Sequence, residues 1–194
     1  MDTQPLLNAK TVSMLANPHP KSHLVYPYSD EQRLADAVSI FASTGLAFGE
    51  AVILIAVPAH QAPFEQRLTA GGFDVAQLSR EGDLVFIDAE EMMAKFMLDG
   101  MPDAAIFKTL VASVIERARN SSLGLPRKVR LFGEMVSLLW TKGNVEAALR
   151  LEQLWNEVIE LYSVPLLCTY SLVNPTSQSF PEELLSAHSH TIHS

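Results

Sequence analysis

Tyr26, Tyr28 and Asp30 crowd into the short stretch Tyr26-Pro-Tyr-Ser-Asp-Glu-Gln32, with His60 shortly after Pro58, Asp88 at the end of an apolar run, and Glu134 directly after Phe132 and Gly133. Two aromatic rings beside several carboxylates and one imidazole suit a small organic ligand: the rings bury an apolar body and a few polar groups orient it. The competing reading keeps the same residues in the scaffold. There the tyrosines pack under a helix, the carboxylates cap helix starts and face the positive end of the helix dipole, and His60 is a surface residue of a first helical turn. His188 and His190 resemble a metal-ligand pair, but they share a face only if their segment is extended, and no cysteine lies near them in sequence. A solvated tail is the alternative. Cys168 is the single cysteine, which excludes an internal disulfide framework or an all-cysteine zinc site; within Val164 to Tyr170 it reads as a buried small hydrophobe.

Several chemistries have no residues to carry them. A phosphate loop needs glycines for close backbone approach, with a lysine and a hydroxyl behind them. The turn from Tyr26 to Gln32 has neither glycine nor lysine, and its two acids repel a triphosphate. Gly71 and Gly72 follow a helical stretch and read as its stop. No G-x-S-x-G elbow exists, and Ser29 reads as a helix cap rather than a nucleophile. No cofactor is implied.

These residues can meet only if the chain builds a sheet to hold them. At 194 residues, 48% hydrophobic and 19% charged, it suits one domain with a tail, since domains run to about 150 residues. Fourteen basic against 22 acidic residues give a net charge of −8, which disfavours nucleic acid as a direct partner. The longest apolar run, Ala51 to Ala59, is far shorter than a bilayer span and no signal-peptide pattern opens the chain, so a cytoplasmic protein without membrane contact is expected.

Residues 1–22 show no periodicity and read as a loose arm whose removal costs little. His23 to Pro27 is a first strand, followed by a helix capped at Ser29 with Leu34, Val38, Phe41 and Gly45 on one face. Ala51 to Val57 is an uninterrupted apolar strand of the kind covered on both faces. Pro58 to Ala70 forms a helix, Asp83 to Asp88 a third strand, and Ala89 to Leu98 a short helix. Pro102 suits the first turn of a longer helix with Ile106, Leu110, Val114 and Ala118 inward. Val129 to Gly133 is a fourth strand, Met135 to Lys142 a helix, and Asn144 caps a helix turning Leu151, Trp155, Val158 and Tyr162 to the core. Pro165 to Leu172 supplies a fifth strand. Strands alternating with helices predict an α/β fold: a mostly parallel central sheet of five or more strands with helices on both faces. Domain bounds are expected at 23–173, with 174–194 a linker ending in a short helix over 181–187. In such a sheet ligands sit outside the carboxyl ends of the strands, which selects Tyr26, Tyr28, Asp30, His60, Asp88 and Glu134 as candidate ligand-binding residues.

Gly133-Glu-Met-Val-Ser-Leu-Leu-Trp140, Gly143 to Asn156 with its Leu-Glu-Gln-Leu-Trp-Asn element, and Leu166 to Tyr170 resemble the signature of the MEDS family, the methanogen/methylotroph DcmR-type sensory domains. His23 to Asp30 is similar to the family's opening segment and His188-Ser-His190 to its closing one, so the resemblance spans about residues 22 to 192. It implies a fold related to the RecA and KaiC ATPase core, here without the phosphate-binding loop, and a sensory role beside kinases or transcription regulators, with small hydrocarbon-derived ligands. The chain has no room for a kinase or DNA-binding module, so it is expected to act in trans or as a stand-alone sensor, with homo-oligomers possible. The expected function is a non-catalytic domain that binds a small molecule or a protein partner at the carboxyl edge of its sheet. The alternatives are a residual nucleotide- or metal-dependent hydrolase and a pure protein-interaction module.

Overall fold

Ala51–Ala56 has no polar residue on either side of its pleat, and in the computed structural model of the chain all six of its residues are buried. Residues 7–120, 126–172, 186 and 188–192 are described. In chain order the first half comprises α1 (Ala9–Ala16), β1 (His23–Tyr28), α2 (Glu31–Ala47), β2 (Ala51–Ala56), α3 (Pro58–Ala70), α4 (Val75–Glu81), β3 (Leu84–Asp88) and α5 (Ala89–Phe96). A small hairpin of β4 (Met97–Leu98) and β5 (Met101–Pro102) leads to α6 (Ala104–Arg119), β6 (Val129–Gly133), α7 (Met135–Thr141), α8 (Val145–Tyr162), β7 (Leu166–Ser171) and β8 (His190–Thr191).

Six strands pair in the order β3-β2-β6-β7-β1-β8, every pair parallel. Because successive side chains alternate between faces, Leu24, Tyr26 and Tyr28 point to a core made with α1–α4, while Val25 and, on β7, Leu166, Cys168 and Tyr170 point to a second core made with α5–α8. The fold is thus the α/β sandwich of a parallel sheet between two helical layers. Among the described residues no helix is long and apolar enough to cross a membrane.

Several local expectations change. The cap of α2 is Asp30, whose carboxylate accepts from Gln32 N–H at 2.7 Å; Ser29 precedes it. Pro102 lies in the hairpin and Asp103 caps α6, so the inward stripe is Phe107, Val111, Ile115 and Ala118, one residue round from the expected one, and Ile106 is exposed. The larger Phe107 ring takes the core position, edge-on to Phe96 and Trp155. Tyr162, expected inward, is only partly buried. Helix α4, held by a single buried apolar residue, Val75, is too short to show a period. At the far end the boundary at residue 173 leaves out β8, whose two residues pair with Leu24 and Val25 and carry Ile192 into the core. A two-residue pairing has no periodicity to read. The helix expected over 181–187 lies, apart from residue 186, outside the described residues.

The expected loose arm contains α1, capped by Asn8, with Leu15 fully buried and Thr11 nearly so against α2. Burying one leucine stabilises by about 1.5–3 kcal/mol. Deleting residues 1–20 is therefore expected to lower Tm by about 4–8 °C, read by calorimetry; an unchanged Tm would show that α1 contributes nothing.

Candidate functional site

The chain leaves β2 through α3 and α4 toward β3, and leaves β6 through α7 and α8 toward β7, in the opposite direction and on the opposite face. Neighbouring strands whose exits diverge open a crevice at their carboxyl ends, the place where ligands bind in open α/β sheets. Ile55 is in register with Gly133, so Val57 and Glu134 emerge side by side, and Glu134 N–H donates to Ile55 O at 3.2 Å.

Glu134 stands at the start of α7 but makes no cap bond there. Its carboxylate turns to the neighbouring helix instead: Oε1 accepts from Val57 N–H, and Oε2 lies 2.7 Å from His60 Nδ1. Helix α3 starts at Val57-Pro58 without a side-chain cap of its own, so this carboxylate supplies the negative charge and the acceptor that the helix start lacks. His60 Nε2 lies 2.8 Å from Oε2 of Glu31, the first residue of α2. The imidazole is held between two carboxylates of unequal exposure, Glu134 at 4% and Glu31 at 66%. Burial opposes the charge on His60, but the hydrogen bond and charge of Glu134, with the charge of Glu31, outweigh it and raise the pKa above its usual 6.5. Tyr28 faces the same acids: burial first, then Glu31 and Glu134, raise its phenol pKa, and it shares a hydrogen bond with Ser171. Beside them a cleft of about 270 Å³ is lined by Glu31, Leu34, Ala59, His60, Pro63 and Phe64.

A raised imidazole pKa means that the folded state holds the proton more tightly than the unfolded state. The stabilisation is complete below about pH 6.5 and fades as pH rises through the folded pKa. The Tm difference between the parent and His60→Gln is expected to be largest below pH 6.5 and to narrow above the folded pKa. A difference constant from pH 5.5 to 9 would mean that His60 does not titrate as an ion-paired group.

Of the residues selected from sequence, the structure brings Glu134, His60 and Tyr28 together and separates the rest. Tyr26 is fully buried in the core under α2, away from the strand ends. Asp30 caps α2, and Asp88 caps α5 by accepting from Glu90 and Glu91 N–H, so both take the helix-cap role. Sequence reading passes over Glu31, which looks like one more acid of a first turn. It also passes over Gln61, whose amide donates to Ala56 O and Ile87 O and ties the ends of β2 and β3. His190 is exposed, on the edge strand.

His188 goes elsewhere. Its side chain is buried with His23 at the start of β1, Cys168 in β7 and Glu152 in α8, one ligating atom of each lying within 4.8 Å of the others. His23 Nε2 is 3.3 Å from both Cys168 Sγ and Glu152 Oε2, and His188 Nε2 is 3.2 Å from Glu152 Oε1. His23 Nδ1 faces Asn156 Oδ1 at 2.9 Å, and Tyr170 O–H donates to Glu152 Oε1. Burial, only partly offset by Glu152, lowers the His23 pKa to about 4, so this imidazole is neutral at neutral pH. Burial first, then Glu152, pushes the Cys168 thiol up. Expected as a small core hydrophobe, Cys168 thus has polar neighbours; they come from positions remote in sequence, which no local spacing reveals.

The family model described as MEthanogen/methylotroph, DcmR Sensory domain (MEDS) matches residues 22–190. Among solved structures, a KaiC-like protein from the hyperthermophilic archaeon Pyrococcus horikoshii OT3 is similar in fold, with a TM-score of 0.57 and 11% identity over 89% of this chain and 71% of that one. No curated protein matches.

Proposed function

The chain belongs to the MEDS family of sensory domains, and from that premise we propose that it is a non-catalytic sensor taking a small organic molecule at the crevice between β2 and β6. The observation that carries this reading is the arrangement of Glu134, His60 and Glu31. Glu134 is buried and fixed by Val57 N–H, whereas Glu31 is mostly exposed and can be replaced at His60 Nε2. A ligand with a hydroxyl or carboxylate oxygen can accept from Nε2–H in place of Glu31 while its apolar body rests on Leu34, Pro63 and Phe64. Glu31 opens α2 and His60 lies in the first turn of α3, so the exchange alters how these packed helices meet. That change is the signal passed to a partner protein such as a kinase or transcription regulator.

The test follows the His60 ring nitrogens by NMR in ¹⁵N-histidine-labelled protein against short-chain alcohols and carboxylates. At least one class is expected to shift His60, and more strongly in Glu31→Gln, where the competing carboxylate is gone. Shifts confined to other residues, or none at all, would overturn the reading. The same crevice should not take nucleotides, because Asp30 and Glu31 stand where the first turn would meet phosphate oxygens and like charges repel. Calorimetry with ATP and magnesium is expected to show no binding, and a micromolar Kd would favour the hydrolase reading.

A further inference from the structure

We propose that His23, Glu152, Cys168 and His188 form a closed binding site for a transition-metal ion of intermediate softness, of which Zn²⁺ is the type. The proposal stands apart from the crevice between β2 and β6 and does not depend on it.

Three features of the cluster point to a cation. The first is spacing. Tetrahedral zinc with bonds of about 2.0–2.3 Å sets its ligands about 3.3–3.7 Å apart; His23 Nε2 already lies 3.3 Å from both Cys168 Sγ and Glu152 Oε2, and one ligating atom from each of the four residues lies within 4.8 Å of the others. The second is the outer layer. Metal-bound histidines give their other N–H to a carbonyl or carboxylate, and metal-bound carboxylates are themselves hydrogen-bonded. Here His23 Nδ1–H donates to Asn156 Oδ1, which leaves the Nε2 lone pair facing inward, and Tyr170 O–H occupies Glu152 Oε1. Glu152 Oε2 is left buried with no hydrogen-bond donor, 3.3 Å from that lone pair. Two acceptors turned on each other in a dry interior are costly unless a cation lies between them.

The third feature is charge. A divalent ion with one thiolate, one carboxylate and two neutral imidazoles is electrically neutral, which suits side chains at 0–2% exposure. On binding, Cys168 Sγ gives up its proton to solvent, and His188 binds through Nε2 with its remaining proton on Nδ1. One sulfur and two nitrogens among four donors exclude Mg²⁺ and Ca²⁺, which take oxygen shells. With all four positions supplied by the protein no site is open for a substrate, so the ion is structural: it joins β1, α8, β7 and the C-terminal segment that carries His188.

The test uses the full chain, stripped with chelator and titrated with Co²⁺ and then Zn²⁺ alone. One equivalent of Co²⁺ is expected to give the intense visible absorption of a tetrahedral site with a thiolate charge-transfer band, and Zn²⁺ is expected to displace it. Zn²⁺ at a hundredfold over Kd should raise Tm by about 5–10 °C. X-ray absorption of the zinc protein needs no variant and should show one sulfur at about 2.3 Å with three nitrogen or oxygen neighbours at about 2.0–2.2 Å. Asn156→Leu keeps all four ligands and is expected to weaken Zn²⁺ by about ten- to a hundredfold. Cys168→Ser should lose the charge-transfer band. Failure of the folded parent to bind one equivalent, a shell without sulfur, or the same spectrum in Cys168→Ser would each overturn the assignment.

Discussion

Trp155→Ala is expected to destabilise the protein by about 3–5 kcal/mol, lowering Tm by about 10–15 °C for a domain of this size. Trp155 is 1% exposed, on the inward stripe of α8 with Leu151 and Val158, and meets Phe107 edge-on at 5.0 Å between centroids; Phe107 in turn meets Phe96 at 5.2 Å. Truncation removes the indole from the end of this row that lies on α8, and a core packed between a rigid sheet and two long helices can close the gap only in part. Leu161 on the same helix is 72% exposed, so Leu161→Ala serves as the control, expected within about 0.5 kcal/mol of the parent. Chemical denaturation of both variants checks the pair. A Trp155→Ala protein as stable as the parent would place the ring at an interface rather than in the core.

Gly45→Ala is expected to destabilise by about 2–4 kcal/mol, although the same change inside an ordinary helix stabilises by about 0.5–1 kcal/mol. Gly45 lies in α2 above Arg130, and a Cβ there would sit 2.5 Å from Arg130 Nε and 2.7 Å from its Cδ. Arg130 cannot move aside freely. Its Nε is 2.6 Å from Glu50 Oε2, Nη1 donates to Phe41 O and Thr44 Oγ1, and the guanidinium lies over the Phe41 ring. At 2% exposure it is a buried charge, and displacing it breaks the pairing that makes burial tolerable. The double variant Gly45→Ala/Arg130→Met isolates the clash: in the methionine background the alanine is expected to cost nothing or to stabilise. An equal cost in both backgrounds would mean that the arginine is not the obstacle.

The elements of this fold were legible because they rest on short-range physics. The helix from Pro58 to Ala70 is bounded by a proline that suits a first turn and by glycines that stop it, and the structure has those bounds. The unbroken apolar run from Ala51 announced a strand covered on both faces, and Asn144 announced the cap of α8. Where local signals competed, the core decided. Two stripes of α6 fit a helical period, and the one carrying Phe107 won because its ring meets those of Phe96 and Trp155.

The site belongs to the other class of information. That Glu134 and His60 should touch across 74 residues follows from β2 and β6 being neighbours, and strand order is set by how helices pack on the two faces, which no window of sequence contains. Asp30, Asp88 and Glu134 look alike in sequence, each a carboxylate after an apolar strand. The first two accept from the N–H groups of their own helix starts, while Glu134 is turned away by an uncapped helix start on the next strand. His23 and Cys168, 145 residues apart, meet because β1 and β7 pair in parallel, and His188 joins them because the chain returns to lay β8 beside β1. Local sequence determines which residues form strands and helices; the packing of those elements alone decides which side chains become neighbours, because only burial between them fixes contacts at long range.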